Sequence, residues 1–306
     1  MADFEDLLLK TSRTFALSIP LLEEPTRRQV TIAYLLFRIA DTFEDAAVWT
    51  REERIRGLEQ LGELLEGRRA DVAELAGDWV SRRPTEHEGY LELLEQTPAV
   101  FAELASFDEL AARAIRHHTG RTAAGMAQVV ARADQDGRLR LESLDELQEY
   151  CYFVAGIVGE LLTDLFLLAD PALEAVGSDL RERAAIFGEA LQLVNIVKDA
   201  ADDREEGRRF LPRSLERDRV FELARADLEV AQAYTEAIRA VGGSPGIVAF
   251  TTLPVRLAWA ALEEVERRGA GAKVSREQVM RIFAEVTRER EAALAGDVLR
   301  STPPAS

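Results

Sequence analysis

Apolar residues recur at intervals of three and four along almost the whole chain, which is the period of one buried face of an α-helix. The spacing predicts helices over 29–46, 51–67, 73–80, 89–96, 106–133, 144–169, 181–203, 214–241, 247–269 and 275–299. Gly67 is expected to end the second, and the GGSPG break at 242–246 to separate the eighth from the ninth. Pro254 falls inside the ninth, where it is expected to kink or offset the helix, because its ring crowds the preceding turn and it has no N–H to donate. No segment alternates apolar and polar residues as a half-buried strand does. The expected architecture is all-α. Breakers cluster at 66–90, 134–140 and 204–213, none long enough to be a linker, and no repeat of fixed period is evident. One helical domain over 1–300 is expected, with a frayed tail at 301–306.

Composition narrows the function. The 306 residues are 47% hydrophobic and 30% charged, an ordinary soluble balance, with a formal net charge of −17. That charge excludes nucleic acid, which needs a basic footprint. It also means that an anionic substrate would need metal cations or a local basic cluster. Cys151 is the only cysteine, so no intrachain disulfide forms, and a reducing, cytoplasmic setting fits. The start, MADFEDLLLK, is acidic and lacks an apolar signal core. The longest apolar run, 151–169, carries Glu160 and Asp164 and reads as a buried helix rather than a membrane span. Peripheral contact with a membrane surface stays compatible with the sequence.

Two predicted helices depart from a plain apolar pattern. In YLLFRIADTFED (34–45), Asp41 and Asp45 are four apart and share a helix face, with Glu44 beside them and Arg38 and Tyr34 each one turn further back. In QLVNIVKDAADDREEGRRFLP (192–212), Asp199 and Asp203 are again four apart, with Gln192, Asn195 and Lys198 upstream and Arg208 downstream. Like charges at this spacing repel by roughly 0.2–0.5 kcal/mol when exposed and by more when buried. One such pair is usually only a solvated helix face. Two pairs, each on an otherwise apolar helix and each with nearby Arg or Lys, point instead to bound cations. Mg²⁺ takes one or two carboxylates and completes its shell with water and phosphate oxygens. Facing acid pairs could therefore hold Mg²⁺ against a diphosphate, with the arginines sharing the charge that develops as it leaves.

With these motifs in place, the chain resembles the squalene/phytoene synthase family. The matching stretches are SRTF (12–15), YLLFRIADTFED (34–45), GMA (125–127), YCYFVAGIVG (150–159), QLVNIVKDAADDREEGRRFLP (192–212) and FTTLP (250–254). DTFED, GRRFLP and GMA lie nearer the squalene synthase branch than the phytoene synthase branch. The resemblance implies an all-α isoprenoid synthase fold, a helical bundle around a central cavity. It implies Mg²⁺ ligation by Asp41, Asp45, Asp199 and Asp203, with Asn195 close to the metals. Arg13, Arg38 and Arg208 would contact diphosphate, with Tyr34, Gln192, Asn195 and Lys198 at the same polar mouth. Phe15, Tyr150, Val154, Ala155 and Gly156 would shape the prenyl cavity, with Tyr150 assisting proton transfer or cation stabilisation.

The chemistry agrees with that assignment. An ionised allylic diphosphate is a carbocation that must be kept from water, and apolar and aromatic walls do so. Gly156 and Gly159 either leave room for a prenyl chain or mark close helix–helix packing; the pattern alone favours neither. Lys198 departs from the arginine usual in the family at that position and keeps the charge without bidentate geometry. His117 and His118 point to different helix faces, lack a further ligand at metal spacing and read as structural or surface residues. His87 carries no signal. The basic stretch KVSR (273–276) is either a positive helix entry or a contact for a cofactor phosphate.

The implied reaction is the Mg²⁺-dependent head-to-head condensation of two farnesyl diphosphates to presqualene diphosphate and, with NADPH, to squalene. The alternatives are dehydrosqualene or phytoene synthesis, ionisation of a single prenyl diphosphate, or a non-catalytic helical protein whose acidic faces bind calcium or a partner.

Overall fold

The expected helices form, and the structure adds short ones that the periodicity does not resolve. It is a computed structural model that describes residues 3–12, 14–134, 139–205 and 209–301, with only the backbone described for 201–205 and 297–301. The sequence-expected tail beyond Ser301, and Arg13, Asp203 and Arg208 as side chains, lie outside the described residues. In chain order the helices are α1 (Phe4–Thr11), α2 (Phe15–Ser18), α3 (Thr26–Glu44), α4 (Arg51–Leu65), α5 (Val72–Ser81), α6 (Glu88–Glu95) and α7 (Thr97–Leu104). They continue with α8 (Glu109–Ala131), α9 (Leu144–Cys151), α10 (Ile157–Ala169), α11 (Gly177–Glu205), α12 (Arg217–Ala240), α13 (Pro245–Arg268) and α14 (Arg276–Ser301). Among the described residues there is no strand, only an isolated parallel bridge between Arg140 and Arg209.

Local chemistry fixes the helix ends. Thr50 and Glu53 form a reciprocal capping box that starts α4. Asp108 caps α8 by accepting from the Ala111 N–H at 2.9 Å. Gly67 follows α4 at φ 72°, the left-handed region that glycine enters without steric cost. Pro254 does not break α13, which runs continuously from Pro245 to Arg268. Pro98 lies in the first turn of α7, where its missing N–H leaves no intrahelical bond unmade.

The segment Tyr152–Gly156 is a π-helix that joins α9 to α10, so that 144–169 is one continuous helical run with a widened turn in its middle. By length and composition this run and α13 could each cross a membrane, but 50% and 67% of their most apolar windows are buried within the fold. Both serve here as core helices.

The 29-residue α11 packs against α10, α12, α13 and the π-helical segment, while α3 lies on α8 and α4. A core of buried side chains runs from Phe4 to Ala272. Near the C-terminal end of α3 it is aromatic: Phe43 packs edge-on to Trp79 at 4.8 Å and stacks on Trp49 at 5.6 Å. Truncating a buried Phe of this kind costs about 3–5 kcal/mol. That anchors the end of α3, where the first acidic motif lies.

Candidate active site

The last turn of α3 carries Asp41 and Glu44, and Asp45 is its C-cap. Backbone carbonyls give this end of a helix a partial negative charge, so carboxylates there are unfavourable without a cation. Part of that cation is supplied from the same helix. Arg38 Nη1 donates to Asp41 Oδ2 at 2.9 Å, and its Nε and Nη2 donate to the Tyr34 hydroxyl at 3.3 and 3.2 Å. Tyr34 in turn donates to the Thr11 carbonyl at 2.8 Å, which fixes the hydroxyl as an acceptor towards Arg38. Burial works against the guanidinium charge, but the Asp41 carboxylate, with the Tyr34 hydrogen bonds, outweighs it and holds Arg38 cationic. The Asp41 carboxyl is pushed up to about 6, chiefly by burial, with Arg38 opposing and Asp45 reinforcing the rise.

Across the cavity, α11 presents Gln192, Asn195, Lys198 and Asp199. Lys198 Nζ donates to Asn195 Oδ1 at 3.1 Å and lies 3.3 Å from Asp199 Oδ2. The Lys198 carbonyl accepts from the Gly271 N–H at 2.8 Å. Gly269 and Gly271, at φ 95° and 85°, let the chain turn tightly there, just ahead of Lys273 in the sequence.

Between the two helices lies a cavity of about 500 Å³. Its walls include Phe15, Tyr34, Arg38, Asp41, Asp45, Tyr150, Val154, Ala155, Gln192, Asn195, Lys198 and Asp199, all of them site residues expected from the sequence. The interior is apolar, with Ile19, Phe37, Val158, Leu161, Phe187 and Phe250. Tyr150 is buried and its ring stacks on Phe210 at 4.7 Å and 24°. Its hydroxyl has no hydrogen-bond partner among the described residues. Burial, and then the Glu44 and Asp45 charges, hold its pKa well above that of a free phenol. Phe210 is set in place by its neighbour. Arg209 N–H donates to the Leu139 carbonyl at 2.9 Å, and Leu141 N–H donates to the Arg209 carbonyl at 3.0 Å.

Gly156 departs from expectation. It does not line the cavity; a Cβ there would meet the Tyr152 ring at 2.8 Å and Glu189 Oε1 at 2.9 Å. The wider π turn rotates it towards α11. Gly159 lines the cavity and also packs closely, since its Cβ would come within 1.9 Å of the Ala184 carbonyl oxygen. The glycine of GMA, Gly125, makes room for the Phe153 ring, which a Cβ would meet at 2.4 Å. His118 is buried, with Nε2 at 2.9 Å from Asp164 and Nδ1 at 3.1 Å from Arg121, while His117 is exposed.

Several cavity residues were absent from the expected set. Glu44 is buried and faces the cavity, three residues from Asp41 on the same helix face. Phe210, Phe187 and Phe250 line it as well, but an apolar position in a helix reads equally as core. The donor chemistry suits a hard divalent cation: carboxylates stand on opposite walls, and a bound cation would offset the rise in the Asp41 pKa to about 6. Among the described residues no three His, Cys, Asp or Glu side chains converge on a single point. That is compatible with an ion that takes few protein ligands and fills its shell with water and phosphate.

The architecture is the all-α isoprenoid synthase fold, in which two acid-bearing helices flank an apolar cavity. The chain belongs to the squalene/phytoene synthase family, whose model matches residues 8–220. It is 30% identical to human squalene synthase over 208 residues, covering 68% of this chain and 45% of that protein. The chain thus spans less than half the length of the curated relatives it matches. Its fold is that of TcSQS, solved in complex with the ligand BPH1237, with a TM-score of 0.72 at 24% identity, covering 99% of this chain and 92% of that one. A dehydrosqualene synthase solved with a ligand shares it at a TM-score of 0.61 and 20% identity, covering 94% of this chain and 95% of that one.

Proposed function

We propose that this chain is a Mg²⁺-dependent prenyltransferase that joins two farnesyl diphosphates head to head, giving presqualene diphosphate and then, with NADPH, squalene. One observation carries the reading: Arg38 and Asp41 on α3 and Asn195, Lys198 and Asp199 on α11 line the same cavity, whose interior is hydrocarbon and aromatic. In this reading Asp41, Asp45, Asp199, Asp203 and Asn195 hold the metal, and Arg13, Arg38, Lys198 and Arg208 hold diphosphate. The single helical domain over 1–300 belongs to the same proposal, supported by a core continuous from Phe4 to Ala272.

The residues would divide the work as follows. Arg38, kept cationic by Asp41 and Tyr34, binds a diphosphate oxygen at the cavity mouth. Mg²⁺ bound by the carboxylates would neutralise charge on the departing diphosphate. The allylic C1–O bond breaks with its electron pair leaving on that diphosphate. The 2,3-double bond of the second substrate attacks the resulting cation, and loss of a proton closes a cyclopropane. Phe15, Phe187, Phe210 and Phe250 exclude water and offer ring faces to the cation. Tyr150, like any phenol, is neutral at physiological pH, and burial makes it harder still to ionise. It can therefore take a proton only by passing its own to a base, and the released diphosphate is such a base within the site. A second loss of diphosphate and a hydride, which NADPH supplies when bound, complete the route to squalene. Lys273, in the loop tied to Lys198, and Arg276 are the residues suited to the cofactor phosphate. Release of a water-insoluble hydrocarbon favours a peripheral contact with a bilayer.

The test is to incubate the purified protein with Mg²⁺ and farnesyl diphosphate, with and without NADPH. Released pyrophosphate and the products by gas chromatography are the readouts. Squalene formed only with NADPH supports the proposal. Dehydrosqualene in both arms replaces the product, and no pyrophosphate release in either arm ends the reading.

A further inference from the structure

Arg38 is held on more than its polar edge. Its guanidinium carbon lies 5.6 Å from the Tyr34 ring centroid and 5.5 Å from that of Tyr90. Tyr34 is on the same helix, one turn earlier, and its hydroxyl takes two of the Arg38 hydrogen bonds. Tyr90 comes from α6, and its hydroxyl makes no hydrogen bond to Arg38 or to any other described residue. It is half-buried and lies outside the cavity wall. Its ring is itself held: the His87 imidazole stacks on it at 4.2 Å and 26°, and the Tyr90 N–H donates to the His87 carbonyl at 3.0 Å. The turn carrying both is pinned to α1, where Lys10 Nζ lies 2.7 Å from Glu92 and the Lys10 carbonyl oxygen is 3.2 Å from where a Gly89 Cβ would be.

We propose that Tyr90 is a positioning residue for the anion-binding arginine Arg38, acting through its ring face and not its hydroxyl. The inference rests on the reading of Arg38 as a diphosphate contact. Arg38 has a long flexible stem, and a cation needed at one point gains from walls that remove its other rotamers. An aromatic face attracts a guanidinium within about 6 Å of its centroid, and the attraction grows where water is excluded. Tyr90 supplies that wall from the side away from the cavity. It thereby leaves the Nη1 and Nη2 N–H groups that Asp41 and Tyr34 do not take available to a ligand.

The experiment measures inorganic pyrophosphate binding with Mg²⁺ by calorimetry, and steady-state kinetics with farnesyl diphosphate, for the wild type, Tyr90→Phe and Tyr90→Leu. Tyr90→Phe is expected to match the wild type in both. Tyr90→Leu is expected to bind pyrophosphate about 3- to 30-fold more weakly and to raise KM by more than it lowers kcat. Equal binding by wild type and Tyr90→Leu overturns the inference and leaves the diphosphate reading standing. Loss of binding in Tyr90→Phe overturns it too, since the hydroxyl would then be the active part. A wild-type protein that neither binds pyrophosphate nor turns over overturns both readings. If Tyr90→Leu does not fold, pentafluorophenylalanine in place of Tyr90 keeps the shape and reverses the ring's charge distribution. Weaker pyrophosphate binding then supports the inference, and unchanged binding overturns it.

Discussion

Gly188 and Ala155 meet backbone to backbone: a Cβ on Gly188 would lie 1.9 Å from the Ala155 carbonyl oxygen. Gly159 meets Ala184 in the same way from the other side, so α11 and the run from the π-helix into α10 pack backbone against backbone at two points. The obstacle in each case is backbone, which cannot swing aside. Gly188→Ala is expected to lower stability by about 3 kcal/mol or more and to distort the cavity wall that both glycines line. Gly62→Ala, on α4 with nothing within 4 Å of its Cβ, is expected to raise stability by about 0.5–1 kcal/mol. Urea denaturation of the two variants checks the contrast.

Replacing the carboxylates tests the site without emptying it. Asp41→Asn and Asp199→Asn keep size and remove charge. Each is expected to lower pyrophosphate release from farnesyl diphosphate by about 100-fold or more, the scale set by losing one electrostatic contact to a developing charge. Raising Mg²⁺ should recover part of the Asp199→Asn loss if the defect lies in metal affinity. A non-catalytic helical protein would show no such defect, because there would be no release to lose.

Tyr150→Phe separates ring from hydroxyl. The hydroxyl has no hydrogen-bond partner among the described residues, so its removal is expected to change the melting temperature by no more than about 2 °C. The stack on Phe210 at 4.7 Å is kept. Turnover should nonetheless fall by about 100-fold, the usual contribution of a positioned proton-transfer group. Thermal unfolding and product analysis on one preparation give both readouts.

Away from the cavity, stability should depend on pH through an acid pair between α11 and α12. Burial first, then the charges of Asp227 and Glu160, push Glu189 up to about 7 from an ordinary 4.5. Burial raises Asp227 to about 6 from 3.8. The buried Cys151 thiol, itself raised mainly by burial, is the remaining group facing them. Both carboxyls bind protons more tightly in the folded state. Their ionisation therefore destabilises the fold at high pH, and the penalty is relieved as pH falls through about 7 and 6 towards the unfolded values. Stability should rise between pH 8 and pH 5. Glu189→Gln should be more stable than wild type at pH 8 by about 1 kcal/mol after solvent screening, roughly 2 °C, with the gap narrowing at pH 5.

The acidic helices were legible because a 3.6-residue period puts Asp41 with Asp45, and Asp199 with Lys198 and Asn195 nearby, on faces that the rest of each helix marks as buried. Glu44 carried the same signal, three residues from Asp41, and was left out of the expected set although the periodicity includes it. Gly156 was placed at the cavity by the resemblance alone, and it lies instead in a π turn that sets it against Glu189 of α11. A π turn holds an extra residue, so side chains beyond it aim differently from an α-helical projection. The separate α7 was not among the expected helices, although Pro98 in its first turn favours a helix start. Tyr90 and Arg38 meet only once α6 has docked on α3, and no local pattern announces that contact.

The single bond from Gly271 to the Lys198 carbonyl makes the last two helices custodians of chemistry carried elsewhere. Cutting the chain before that glycine, or lengthening the turn around it, would unfasten the backbone just ahead of Asp199 while Asp41, Asp45, Asp199 and Asp203 stayed in the polypeptide. Fragments prepared without α14 should accordingly be judged by how well they order the end of α11, and linkers for fusion belong beyond Ser301 rather than inside 269–275.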